Sequence, residues 1–169
     1  MGRKSTKEDK SVYQIAREEL GYTREKASDI MEAMSSDRLE KLENGRTKLT
    51  PYDVCEMAKA YNNPHLCNHF CTKDCEIGRL YVPEVKIKDL SQIVLEMLNS
   101  LSIMNIKKEK LIEISVDGEI TNDEIEEFVR IQKEIDRLSV IVDTFRLWTE
   151  QMKNSGKIDM EIYRQYMGE

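Results

Sequence analysis

The strongest constraint on the fold is an apolar repeat near the C-terminal end. It predicts an α-helix of about 32 residues, roughly 48 Å long at ~1.5 Å per residue. Such a helix must pack its apolar side against another element, so the repeat favours an all-α fold. Its members recur at steps of three and four residues: Ile125, Phe128, Ile131, Ile135, Leu138, Val142, Phe145, Trp148 and Met152.

A shorter repeat precedes the long one and predicts a helix of about 25 residues from Asp89. Asp117-Gly118 is typical of a turn, and the spacing from Thr121 to Glu124 is a capping box that begins the second helix. Together the two repeats predict a long antiparallel helical hairpin within residues 89–169, with a short last helix over 158–166. The first repeat steps by four and three: Leu90, Val94, Met97, Leu101 and Met104.

Residues 11–71 carry closely spaced helix-start signals and predict five short helices joined by short loops. Gly21 and the pair Asn44-Gly45 are typical helix ends. Residues 72–88 contain Gly78 and Pro83 and predict an extended, cysteine-containing connector. The start signals are Ser11, Thr23, Ser35, Thr50 before Pro51, and Asn63 before Pro64.

Composition narrows the class of protein. Charged residues make up 34% of the chain, above the usual ~25%, which suits helices with salt-bridged outer surfaces. Three prolines and seven glycines are too few for many short strands. No run approaches the ~18 apolar residues of a membrane span, and no apolar segment follows the basic N-terminus as in a signal peptide. We therefore expect a cytoplasmic protein without a membrane association.

Charge is distributed unevenly along the chain. Residues 1–80 hold 14 basic and 14 acidic side chains, whereas residues 81–169 hold 12 and 18. The difference supports two modules, and neither of them is basic overall, as the footprint of a nucleic-acid-binding domain usually is.

The first module carries a family resemblance. Arg17 stands four residues before Gly21, and Thr23-Arg-Glu-Lys-Ala27, Ser35 and the run 39–45 follow in order. This pattern, with Pro51 and the apolar positions up to Tyr61, resembles the phage-repressor/Cro-like, XRE-type helix-turn-helix family over about residues 11–71. The resemblance implies a five-helix lambda-repressor-like domain and a sequence-specific transcriptional regulator that binds double-stranded DNA.

The resemblance also implies roles for individual residues. In a helix-turn-helix the second helix enters the major groove, and the start of the first lies on the phosphate backbone. Arg17 and Glu43 match a charge pair of the family that ties its first helix to its third. The basic residues Arg3, Lys4 and Lys7 are candidates for an arm along the DNA. The DNA-contact candidates are Thr23, Arg24, Ser35, Ser36, Asp37, Arg38, Lys41, Arg46 and Lys48.

Two departures from the family pattern keep an alternative open. Arg24 stands where the family usually carries a glutamine that reads adenine. The reading helix also contains Asp37, Glu40 and Glu43, whose charges oppose phosphate. The alternative is a non-enzymatic protein-interaction module whose helix-turn-helix no longer binds DNA.

The cysteines suggest a weaker third class, a metal or redox sensor. Cys67, Cys71 and Cys75 follow a C-x3-C-x3-C spacing, with Cys55 twelve residues upstream. The segment from Cys71 to Gly78 is similar to one that follows this domain in a bacterial subgroup of XRE-type proteins. Common zinc sites pair such cysteines differently, so we expect reduced thiols packed near the core and neither metal nor cofactor.

The remaining motifs do not indicate an enzyme, because no nucleophile context or glycine-rich phosphate loop is present. The organisation is an arm and helix-turn-helix domain at 1–71, a connector at 72–88, and a dimerisation or partner module at 89–169. Phe145, Trp148 and Met152 extend beyond the shorter repeat, so we expect them to form a homodimer contact. A protein partner at these C-terminal helices, or the last helix folding back, is the alternative.

Overall fold

The computed structural model describes residues 10–31, 33–116 and 118–168. All regular secondary structure in these residues is α-helical, as the sequence predicts. The helices are α1 (Val12–Glu19), α2 (Arg24–Ile30), α3 (Ser36–Glu43), α4 (Pro51–Ala60), α5 (His65–Lys73), α6 (Glu76–Tyr81), α7 (Leu90–Ser115), α8 (Ile125–Asn154) and α9 (Met160–Met167).

The chain divides into two compact units. The first comprises residues 1–82 together with 150–169, and the second comprises residues 83–149. None of the described helices combines the length and the hydropathy that crossing a bilayer requires.

The core of the first unit is formed by short helices whose starts are fixed locally. The side chains of Ser11, Thr23 and Ser35 each accept a hydrogen bond from a backbone N–H three residues on. Thr50 and Asp53 form the complete reciprocal capping box, with Pro51 at the first helical position. These predicted starts are confirmed. The helices enclose a buried apolar cluster that includes Leu39, Val54, Met57, Tyr61 and Leu66.

The fifth predicted start is wrong in detail. Helix α5 begins at His65, its cap position is Pro64, and it has no side-chain cap hydrogen bond. Asn63 contributes its backbone carbonyl instead, which accepts from the Leu66 N–H at 3.2 Å. The proline before the helix lacks an N–H, so one fewer group there needs a cap.

The extended conformation predicted for 72–88 is wrong for residues 76–81, which form α6. The Cys75 thiol acts as the cap and accepts a hydrogen bond from the Gly78 N–H at 3.4 Å. Gly78 also allows α6 to approach α5, since a Cβ at this position would lie 2.1 Å from the Cys71 carbonyl oxygen. A thiol is an uncommon helix cap, so the sequence signal was weak.

The second unit is built on α7 and on the first part of α8. Helix α7 has 26 residues, and the whole of α8 has 30. Lys107 Nζ on α7 lies 2.6 Å from Glu127 Oε1 on α8. Glu96 on α7, held by Lys88 at 2.6 Å, lies within electrostatic range of Arg137 on α8. Gly118 adopts the left-handed conformation at φ 72°, whereas Asp117 lies outside the described residues.

Part of the buried line along each long helix is displaced by one residue from the predicted repeat, whereas Ile131 of the α8 repeat is buried as predicted. On α7, Ile93 and Ser100 are buried, whereas Val94 and Leu101 are exposed. Aliphatic residues stand side by side here, so each helix carries two adjacent apolar stripes, and periodicity alone does not determine which stripe packs. On α8, likewise, Ile141 and Thr144 are buried, whereas Val142 and Phe145 are exposed.

Candidate nucleic-acid interface

Helices α2 and α3 lie where the sequence predicts a helix-turn-helix. The Thr23 hydroxyl oxygen accepts from the Lys26 N–H at 3.1 Å, and the Ser35 hydroxyl oxygen accepts from the Arg38 N–H at 3.3 Å. Ala27 of α2 and Leu39 of α3 are completely buried. The caps and the buried residues together fix which side of α3 is turned outward.

A buried ion pair ties α1 to the end of α3. Arg17 Nε donates to Glu43 Oε1 at 2.6 Å, and Arg17 Nη2 donates to Glu43 Oε2 at 2.9 Å. Arg17 Nη1 also donates to the Tyr22 carbonyl oxygen at 2.6 Å, just before α2. Burial opposes the charge on Arg17, but Glu43 outweighs it and raises the pKa of the guanidinium. The pairing that the resemblance implies is thus present in the structure.

Arg24 is held by the same carboxylate. Its Nε donates to Glu43 Oε2 at 2.9 Å, and its side chain is 30% exposed. One fully buried carboxylate therefore serves two guanidinium groups, from α1 and α2. Glu43 does not lie on the outer surface, and Arg24, expected to contact DNA, is partly engaged inside the protein.

Arg38 is also paired within the protein. Its Nη2 lies 2.9 Å from both Oδ1 and Oδ2 of Asp53 on α4. Asp53 Oδ2 accepts further hydrogen bonds from Thr50, at 3.0 Å from its N–H and 2.7 Å from its hydroxyl. The capping box was visible in the sequence, but its long-range partner on α3 was not, because no local pattern links residues 38 and 53.

The outer surface of α3 and the loop after it carries the remaining DNA-contact candidates. Ser35, Asp37, Lys41 and Lys48 are exposed, and Ser36 is half-exposed. Arg46 is 70% exposed and lies 3.8 Å from Glu40, a separation at which the pair is largely hydrated. Lys41 and Lys48 form no ion pair with another described residue. This surface therefore offers three extended cations beside two acids, Asp37 and Glu40.

The predicted N-terminal arm lies outside the described residues, which include none of Arg3, Lys4 and Lys7. The described chain starts at Lys10, whose Nζ pairs with Glu18 Oε2 at 2.7 Å.

The four cysteines are all unpaired thiols. Cys55 is exposed, and Cys67, Cys71 and Cys75 are half-buried against the core of the first unit. Burial, followed by the neighbouring Cys55 thiol, raises the pKa of Cys67 to about 11. Within residues 10–31, 33–116 and 118–168, no group of three or more Cys, His, Asp or Glu side chains is arranged to hold a metal ion.

The residues predicted to form a dimer contact lie along the last part of α8. In the second unit, the rings of Phe145 and Trp148 stack with centroids 6.2 Å apart, Phe145 being 40% exposed and Trp148 half-buried. In the first unit, Met152 is half-buried, and Lys153 Nζ lies 4.4 Å above the Tyr163 ring of α9. Helix α9 therefore folds back onto the end of α8.

Comparison with known proteins assigns this chain to no family. Protein-family models, curated proteins and solved structures all give no significant match to this chain.

Proposed function

We propose that the chain is a sequence-specific transcriptional regulator that binds double-stranded DNA, with α3 in the major groove and α2 against the phosphate backbone. The observation that carries this is the clamp of Arg17, Glu43 and Arg24, which joins α1, α2 and α3 through one buried carboxylate. A rigid pair of capped helices is what base readout requires, because side chains must meet base edges in a fixed register.

Three exposed basic side chains support the proposal that this surface binds DNA. Lys41, Arg46 and Lys48 extend into solvent from α3 and the loop that follows it. Each cation that neutralises a phosphate releases counterions, so affinity for duplex DNA falls as salt rises. Ser35 and Ser36, at the start of α3, supply hydroxyl groups of the kind that bind base edges.

Fluorescence anisotropy with labelled duplexes, selected from a randomised pool by the purified protein, tests the proposal. We expect binding that weakens with salt, and each of Lys41→Ala and Lys48→Ala to lower the salt slope by roughly 0.9. Lys59→Ala on α4 is the matched control, because Lys59 is 77% exposed and lies outside the proposed interface. A folded protein that binds no duplex at low salt contradicts the proposal.

A second candidate function is a protein-interaction module that has lost DNA binding. The observation that favours it is the internal pairing of Arg24 with Glu43 and of Arg38 with Asp53, which removes two cations from phosphate contact. Under this candidate the purified protein enriches no duplex sequence from the randomised pool, which separates the two functions.

The second module is proposed to be a long antiparallel helical hairpin for dimerisation or partner binding. The order of contacts supports it, since Lys107 meets Glu127 while Glu96, earlier on α7, lies near Arg137, later on α8. A regulator of this kind reads two half-sites about one DNA turn apart, so two joined copies set the spacing of the site.

A further inference from the structure

The first half of α7 is unusually poor in charge. Between residues 90 and 106 the only charged residue is Glu96, and Lys88 neutralises it at 2.6 Å. A helix that is apolar beyond its packed stripe is ordinarily covered on more than one side. Helix α7 therefore has the composition of a buried element although much of its surface is open.

The open surface beside the buried line of Ile93 and Ser100 is an apolar stripe, which Asn105 and Lys108 interrupt between Leu101 and Ile112. We name it the α7 outer face. Its side chains are between 38% and 81% exposed. They share one side of the helix because they lie at helical spacing: Leu90, Val94, Leu98, Leu101, Ile112 and Val116.

The area of this face is a large part of what a stable dimer needs. Its six side chains leave open the equivalent of about three complete aliphatic side chains. At roughly 100 Å² for each, this is ~300 Å² of apolar surface. A standard interface buries ~800 Å² per partner, of which a little over half, ~450 Å², is apolar.

The charges favour a second copy of this chain as the occupant. Residues 81–169 carry an excess of six acidic side chains, so two copies repel each other wherever charged surfaces meet. Within residues 90–116, Lys108 is the one charged residue on the α7 outer face, so two identical surfaces meet there with little charge between them. A two-fold contact places the same patch on both subunits, which a largely apolar stripe satisfies.

From these observations we infer that the protein forms a symmetric homodimer through the α7 outer face, and that the Phe145–Trp148 surface is not the contact. The inference deepens the proposed dimerisation module and is independent of DNA binding. Analytical ultracentrifugation without DNA over micromolar concentrations tests it, because DNA-binding failure leaves the mass unchanged. The wild-type chain is expected at twice its 19.8 kDa.

Leu98→Glu and Leu101→Glu are expected to give monomers, with the dimer Kd raised about a hundredfold or more, because each buries an unpaired carboxylate. Both side chains are more than half exposed in one copy, so helical circular dichroism is expected to be retained. Leu98→Asn is a milder second variant. Ile106→Glu is the matched control on the same helix, since Ile106 is 79% exposed and turned away from the stripe, and it is expected to remain dimeric.

Three outcomes overturn the inference. One is a wild-type monomer at every concentration. Another is a dimer that survives both Leu98→Glu and Leu101→Glu. The third is a dimer that Trp148→Glu dissociates while the α7 variants leave it intact, which places the contact on the aromatic surface.

Discussion

Arg38 and Asp53 join the candidate reading helix to α4 through an ion pair that engages both carboxylate oxygens. Arg38 Nη2 lies 2.9 Å from each, and Nε lies 3.0 Å from Oδ1. The Asp53 side chain is almost completely buried, whereas that of Arg38 is 43% exposed. One aspartate thus caps α4 and positions α3 at the same time.

This pairing makes folding stability sensitive to acid. Burial disfavours the Asp53 carboxylate, but hydrogen bonds from Thr50 and Arg38 outweigh burial and lower its pKa. Its contribution is therefore complete above the unfolded pKa of about 3.9 and is lost as pH falls through the folded value. We expect Asp53→Asn to cost about 2 kcal/mol at neutral pH and less in acid, measured by urea unfolding. Asp37→Asn, exposed on α3, is the control and is expected to change little.

The Arg17–Glu43 pair is expected to show strong coupling in a double-mutant cycle. Glu43→Gln leaves the buried Arg17 guanidinium without its carboxylate, at a cost of about 3–5 kcal/mol. Arg17→Met is expected to cost less, because Glu43 keeps its contact with Arg24. The double variant is expected to cost less than the sum of the two, measured as free energies of unfolding at neutral pH. Additive single-variant costs contradict a functional link between α1 and α3 through this pair.

Removing the buried hydroxyl of Ser100 is expected to stabilise the second unit. Its side chain is completely buried, and its Oγ has no hydrogen-bond partner among the residues that the structure describes. Ser100→Ala removes the unsatisfied hydroxyl with little change in volume, and we expect a gain of about 1 kcal/mol. Ser102→Ala, exposed on the same helix, controls for helix propensity. A loss of stability specific to Ser100→Ala counts against an unsatisfied hydroxyl.

The thiols are expected to differ in their rates of alkylation. Cys55 is exposed and reacts first, whereas burial and the neighbouring Cys55 raise the pKa of Cys67 to about 11. Because the thiolate is the reactive form, the Cys67 rate is expected to rise about tenfold per pH unit between 7 and 9. Mass spectrometry of iodoacetamide-treated protein measures the order, and equal rates at Cys55 and Cys67 contradict it.

Stoichiometric zinc or iron by elemental analysis contradicts the expectation of free thiols.

Features that depend on neighbours in sequence could be predicted. The helix starts at Ser11, Thr23, Ser35 and Thr50 require an oxygen two or three residues before a free N–H, and this is visible in a short window. The Arg17–Glu43 pair spans 26 residues and was accessible only through the family resemblance.

Features that depend on tertiary packing could not be predicted from the same windows. Ile93 and Val94 are both aliphatic, and only the neighbouring helix determines which is buried. Arg38 and Asp53 are separated by a loop and a helix start, so their pairing follows from the packing of α4 on α3. Helix α6 depends on the thiol cap of Cys75 and on Gly78. A glycine is needed at residue 78 because the Cys71 carbonyl of α5 lies close to it.

That glycine sets the distance between two helices. Any side chain at residue 78 meets the Cys71 carbonyl, so α6 has to tilt or lift away from α5. Ile77, Leu80 and Tyr81 project from α6 and are each at least 70% exposed. A single methyl group at position 78 therefore acts as a wedge that redirects these three apolar side chains while none of them is itself altered.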